Sequence, residues 1–130
     1  MATKPDLMGL GMPWPLADRL GYTPVGATAT PGITAQSSAT QLESKLSLLT
    51  VASATGTAFL LPANPPPGTF VYCTNLFASV ATAAVFPATN NLLNGATGNS
   101  ILLTTGQSAL FICEQSGTAA SVHWYSIKSA

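Results

Sequence analysis

Beyond residue 45 the chain is written in short runs of Val, Ile, Leu, Phe, Tyr and Thr. Turn-forming residues break these runs roughly every eight to twelve positions, the spacing of an all-β sandwich or barrel. The runs predict strands at Leu46 to Ala52, Thr57 to Leu61, Thr69 to Asn75, Val80 to Phe86, Ser100 to Thr104, Ser108 to Phe111 with an extension to Glu114, and Ser121 to Ile127. Because successive strand side chains point to opposite faces, Phe70 and Tyr72 share one face and Val71 and Cys73 the other. Both faces are thus substantially apolar, and the run from Ala109 to Cys113 repeats the pattern. Such strands are covered on both sides, by a second sheet or by a neighbouring subunit.

The breaks carry turn chemistry. Pro65-Pro66-Pro67-Gly68 offers three successive positions without an amide donor, so it belongs at an exposed corner rather than inside a sheet. Asn94-Gly95 and Thr105-Gly106 are tight-turn signals, and the second is expected to close a hairpin between the strands that flank it.

Residues 1–45 read differently, as an extended arm and linker ahead of a β domain over 46–130. The stretch from Asp6 to Pro15 has no helical or strand period, yet it carries Leu7, Met8, Leu10, Met12 and Trp14. Disordered tails are poor in such residues. Pro15 to Gly21 can form one short helix, opened by Pro and closed by Gly, with Leu16 and Leu20 on one side. A helix so short needs another surface to hold it. We therefore expect Leu7, Met8, Leu10, Met12, Trp14, Leu16 and Leu20 to bind a partner, and the stretch from Gly21 to Ser38 to be an extended connector.

Charge narrows the function. From Leu46 to Cys113 the sequence contains no Asp, Glu, Lys, Arg or His. Acid–base catalysis and phosphate clamping need such groups, so no enzymatic activity is expected. Charged residues are 6% of the chain and the net charge is zero, which removes the self-repulsion that keeps monomers apart. The scattered Lys4, Arg19, Lys45 and Lys128 cannot neutralise a run of phosphates, so neither nucleic acid nor a membrane surface is an expected partner. Gly and Pro interrupt the apolar stretches before they reach membrane-spanning length, and charges and prolines break up the amino-terminal region where a secretory signal would need a continuous apolar centre. Synthesis and retention in the cytoplasm are the expectation.

Few residues remain as candidates for chemistry. Cys73 and Cys113 sit in apolar strand runs and read as buried free thiols, unless their strands are close enough for a disulfide. One His and two isolated Cys lack the ligand spacing of a zinc site, and no cofactor or metal is expected. His123 alternates against Trp124, and its sequence-level partner Glu114 is the only carboxylate after Glu43. A hydrolytic site would have to combine them with Cys113 or a Ser. Phe70, Tyr72, Phe86, Phe111, Trp124 and Tyr125 are assigned to core and subunit packing, because the strands alternate as a core does.

Asp6-Leu7-Met8-Gly9-Leu10-Gly11-Met12-Pro13 followed by Leu16-Ala17-Asp18-Arg19-Leu20-Gly21 resembles the amino-terminal signature of small head proteins of tailed bacteriophages. Leu61-Pro62-Ala63, Pro67-Gly68-Thr69, Asn75, Val85-Phe86-Pro87-Ala88, Leu93-Asn94-Gly95, Ser100-Ile101-Leu102-Leu103, Gly106-Gln107-Ser108-Ala109 and Trp124-Tyr125-Ser126-Ile127 look like a phage β domain found on virion surface proteins. The resemblance implies a capsid decoration, or cement, protein with a β-sandwich or jelly-roll-like body. It would form a homo-oligomer, a trimer ahead of a dimer, and sit on the outer capsid surface over junctions of the major capsid protein with its arm as a clamp. No catalytic residue is carried across. The competing expectation is a fibre or spike domain that binds a receptor or glycan, marked by exposed aromatics in the loops around Phe77 or Asn90 to Asn99.

Overall fold

The computed structural model describes residues 25–30, 33–42, 46–51, 57–77, 82–115 and 122–130. Among them the chain is all-β apart from one 3₁₀ turn, Gln36–Ser38. Its strands are β1 (Val25–Ala29), β2 (Thr40–Gln41), β3 (Leu46–Val51), β4 (Ala58–Leu60), β5 (Phe70–Asn75), β6 (Ala83–Phe86), β7 (Leu92–Leu93), β8 (Ala96–Thr97), β9 (Ile101–Leu103), β10 (Ser108–Gln115) and β11 (Val122–Lys128).

They form a larger sheet of seven strands, ordered β1-β3-β5-β10-β11-β7-β8, and a smaller one of four, ordered β2-β4-β6-β9. From β1 to β6 the chain alternates between the sheets, so sequential strands never pair. Partners are instead two strands apart and parallel: β1 with β3 and β3 with β5 in the larger sheet, β2 with β4 and β4 with β6 in the smaller. Antiparallel pairing dominates towards the carboxyl end, where β10 lies between β5 and β11, β9 pairs with β6, and β7 with β8, while β11 and β7 pair in parallel.

Each strand expected beyond residue 45 coincides with an observed one. Two strands were not foreseen in the stretch expected to be arm and linker: β1 edges the larger sheet and β2 the smaller. The Ala-, Thr- and Gly-containing sequence of β1 and the two polar residues of β2 carry little apolar signal, and their pairing partners lie well along the chain. The expected helix at 15–21 and the arm residues Leu7, Met8, Leu10, Met12, Trp14, Leu16 and Leu20 lie outside the described residues.

Both sheets contribute to one core. Ala29, Leu49, Val71, Cys73, Leu93, Ala109, Phe111, Cys113, Val122 and Trp124 come from the larger sheet, and Phe59, Ala83, Val85 and Leu103 from the smaller. Asn75 ties the layers together from inside. Its side-chain amide donates to the Leu103 carbonyl at 2.8 Å, and its side-chain oxygen accepts from the Phe77 amide at 3.0 Å. Both donor and acceptor are thereby used, as burial of a carboxamide demands. The Trp124 indole N–H, by contrast, is buried without a hydrogen-bond partner.

Turn chemistry marks the crossings between sheets. At the proline corner between β4 and β5 the Thr69 amide donates to the Pro66 carbonyl, and Gly68 holds φ +81°, as a type II turn with Pro second and Gly third requires. Thr105-Gly106 makes a similar turn, with the Gln107 amide on the Thr104 carbonyl, but it does not close the expected hairpin. It carries the chain from β9 in the smaller sheet to β10 in the larger. Turn residues report a reversal of direction, whereas the sheet that receives the next strand depends on distant partners. Asn94 and Gly95, both at positive φ, do close a two-residue hairpin between β7 and β8.

Cys73 and Cys113 are free and buried. Their strands are neighbours, but Cys73 stands opposite Ala109, four residues from Cys113. That is about 13 Å along the strand, beyond the reach of a disulfide.

Candidate functional site: the outer face of the larger sheet

Strand alternation assigns Val71, Cys73, Ala109, Phe111, Cys113 and Trp124 to the core, so the intervening residues of β5, β10 and β11 face outward. The registers then place these residues in rows. Leu46 stands beside Tyr72, Tyr72 beside Leu110, and Leu110 beside Ile127, which makes one apolar row across four strands. Phe70, Ile112 and Tyr125 form the next. At the usual strand separation the longer row spans about 14 Å.

None of these seven side chains is fully buried. Tyr72 is 40% exposed, Ile112 41%, Tyr125 50% and Ile127 69%. Outward Leu48 and Leu76 extend the apolar surface along β3 and β5, and Leu76 is 51% exposed. Most surface hydrophobics in proteins are scattered, but these are contiguous across paired strands.

The borders of the patch are polar in two different ways. On one side the register aligns Glu114 with His123, and His123 with Leu92. Towards the other, Ser and Thr side chains bond within the sheet. The Thr74 and Ser108 hydroxyls are 2.9 Å apart, those of Thr28 and Thr50 are 3.0 Å apart, and the Thr50 hydroxyl also reaches the Ala27 carbonyl. Partners of their own let these hydroxyls be covered with little loss of hydrogen bonding.

The aromatic residues singled out in sequence therefore divide. Phe111 and Trp124 are core, while Tyr72 and Tyr125 are exposed on the outer face beside half-buried Phe70. Phe86 is half-buried on the smaller sheet, in register with Leu60. Leu46, Leu110, Ile112 and Ile127 complete the patch without having been singled out. Their signal was available in the parity of β10 and β11, where Leu110 and Ile112 alternate with Phe111, and Tyr125 and Ile127 with Trp124.

The groups considered for hydrolysis do not converge. Cys113 faces the core, and Glu114 and His123 lie on the opposite side of the sheet. Burial pushes the Cys113 thiol above its ordinary pKa and pushes that of Cys73 up to about 12, away from the thiolate a nucleophile needs. No known protein-family model matches the chain, and no curated protein matches it.

Proposed function

We propose that this protein is a non-enzymatic structural component of a tailed-bacteriophage particle, a decoration protein that stabilises the capsid from its outer surface. The observation that carries this reading is the contiguous, nearly uncharged apolar face on the larger sheet. Such a surface suits burial in an assembly and offers little to a reacting substrate. The body is taken to be a β-sandwich of the two sheets. Its parallel pairs are what distinguish it from an antiparallel jelly roll.

Within this reading the body forms a homo-oligomer, and the arm, through Leu7, Met8, Leu10, Met12, Trp14, Leu16 and Leu20, clamps the major capsid protein near its junctions. A clip with several contacts gains from effective concentration, because one released contact is held close to its site by the others. Support against the fibre or glycan-binding alternative comes from the loops. Residues 90–99 contain no aromatic, and Phe77 is half-buried rather than displayed as a stacking platform.

Deletion of residues 1–21 tests the clamp. The expected product is a folded β body that no longer occupies capsids, measured by co-sedimentation with particles. Unchanged occupancy would refute the assignment. Because attachment is assigned to apolar burial, replacing Trp14 and Leu16 with Ala should weaken it more than replacing Lys4, and raised salt should have little effect.

A further inference from the structure

We infer that the outer face of the larger sheet is the surface through which copies of this chain associate, sheet against sheet, with the rows Leu46-Tyr72-Leu110-Ile127 and Phe70-Ile112-Tyr125 at the centre of the contact. This deepens one part of the proposed function, self-association, and is separable from attachment to a shell.

Three features select a second copy as the occupant. The first is charge: Glu114 is the only charged residue on the outward face among the described residues, and it lies beside His123 at the border. A neutral apolar face can meet its own image without opposing like charges at the centre, and a self-complementary contact requires that condition. The second is area. Tyr72, Leu76, Ile112, Tyr125 and Ile127, exposed by 40–69%, offer on the order of 500 Å² per copy if each side chain presents roughly 200 Å² when fully exposed. Two copies together would bury about 1,000 Å², the scale a specific interface needs, and half-buried Leu46, Leu48, Phe70 and Leu110 add to it. The third is polar satisfaction. The Thr74–Ser108 and Thr28–Thr50 hydroxyl pairs hydrogen-bond within the sheet, so a neighbour need not supply partners for them.

The smaller sheet offers no equivalent surface. One outward row in register is Ala58, Ala84 and Leu102, with Ala58 and Ala84 buried and Leu102 exposed, and the other sets half-buried Leu60 beside half-buried Phe86. One sheet therefore supplies the association surface and the other a control.

The test is the mass of the full chain in solution at tens of micromolar, by sedimentation equilibrium. The wild-type protein is expected at two or more times the single-chain mass of 13.2 kDa. A variant with both Tyr125→Lys and Ile127→Lys should fall to the single-chain mass, its association weakened at least 100-fold, with the near-ultraviolet signal of Trp124 reporting that the core is intact. Leu102→Lys, on the smaller sheet, should keep the wild-type mass. A wild-type protein at 13.2 kDa overturns the inference, as does a double-lysine variant that stays assembled or a Leu102→Lys variant that dissociates equally. If the double-lysine variant misfolds, the wild-type mass and the comparison of Ile127→Ser with Leu102→Ser decide the matter. A single-chain wild type that still occupies capsids would remove this inference and leave the shell reading standing. An assembled protein that never attaches would do the reverse.

Discussion

On the smaller sheet the row facing away from the core reads Ala58, Ala84, Leu102, whereas on the larger sheet one such row reads Leu46, Tyr72, Leu110, Ile127. The first row has small residues at Ala58 and Ala84, which lie close to a strap of the chain itself, and only Leu102 at its edge is large and exposed. The Ile33 carbonyl accepts from the Thr57 and Ala58 amides, and the Gln36 side-chain amide reaches past β4 to donate to the Pro87 carbonyl at 2.7 Å. Ala58 and Ala84 are buried there without belonging to the central cluster. The second row is made of large residues left partly open to water. Two sheets that share one core thus dispose of their outer faces in opposite ways. The small residues let the strap come near, and the large ones leave surface for a neighbour to cover.

Substitutions can break this contrast, starting with the core common to both sheets. Phe111→Ala should cost about 3–5 kcal/mol in urea unfolding, because the aromatic ring is fully buried and close-packed surroundings collapse only in part. Ala58→Leu comes next, at about 1–3 kcal/mol, since the added methylenes have no room on the covered face. A cost near zero would mean that the strap is not packed there. Gln36→Ala should cost about 1 kcal/mol and speed hydrogen exchange at the Thr57 and Ala58 amides, as the link to Pro87 is lost. The smallest effect belongs to the open face. Ile127→Ser should change the stability of the single chain by no more than about 0.5 kcal/mol, measured at dilutions where copies separate. If Ile127→Ser were as costly as Ala58→Leu, the outer faces would not differ in the way described.

Beyond residue 45 the seven longer strands were legible because each carries its own evidence in alternation and flanking turn residues, whereas the two-residue strands β7 and β8 are too short to show a period. β10 is the clearest case: Ala109, Phe111 and Cys113 face inward between Leu110 and Ile112, and a period of two is enough to show it. The strap and the edge strands were not legible in this way. In β1, the sequence Val25-Gly26-Ala27-Thr28-Ala29 has little apolar contrast, and its strand character comes from pairing with β3. The proline corner and the Asn94-Gly95 turn were local and could be read directly, but the short strands that make the latter a hairpin could not. The Thr105-Gly106 turn was recognised as a turn but assigned the wrong destination, since a hairpin and a crossing use the same turn residues. The candidate face was legible as a parity, with Phe70 and Tyr72 opposite Val71 and Cys73, but not as a surface. Rows form only when registers bring residues such as Leu46, Tyr72, Leu110 and Ile127 side by side.

By itself, the sequence determined that this is a β-rich chain with turns at defined places, two apolar faces on its central strands and almost no charge over its body. These properties are local or compositional, so no partner is needed to express them. The tertiary structure decided which strands became neighbours, which sheet received each crossing and which apolar face became the core. Those outcomes depend on contacts between residues far apart in the chain. A strand with two apolar faces can bury either one, and here the interior went to the side where Asn75, Phe111 and Trp124 meet the second sheet.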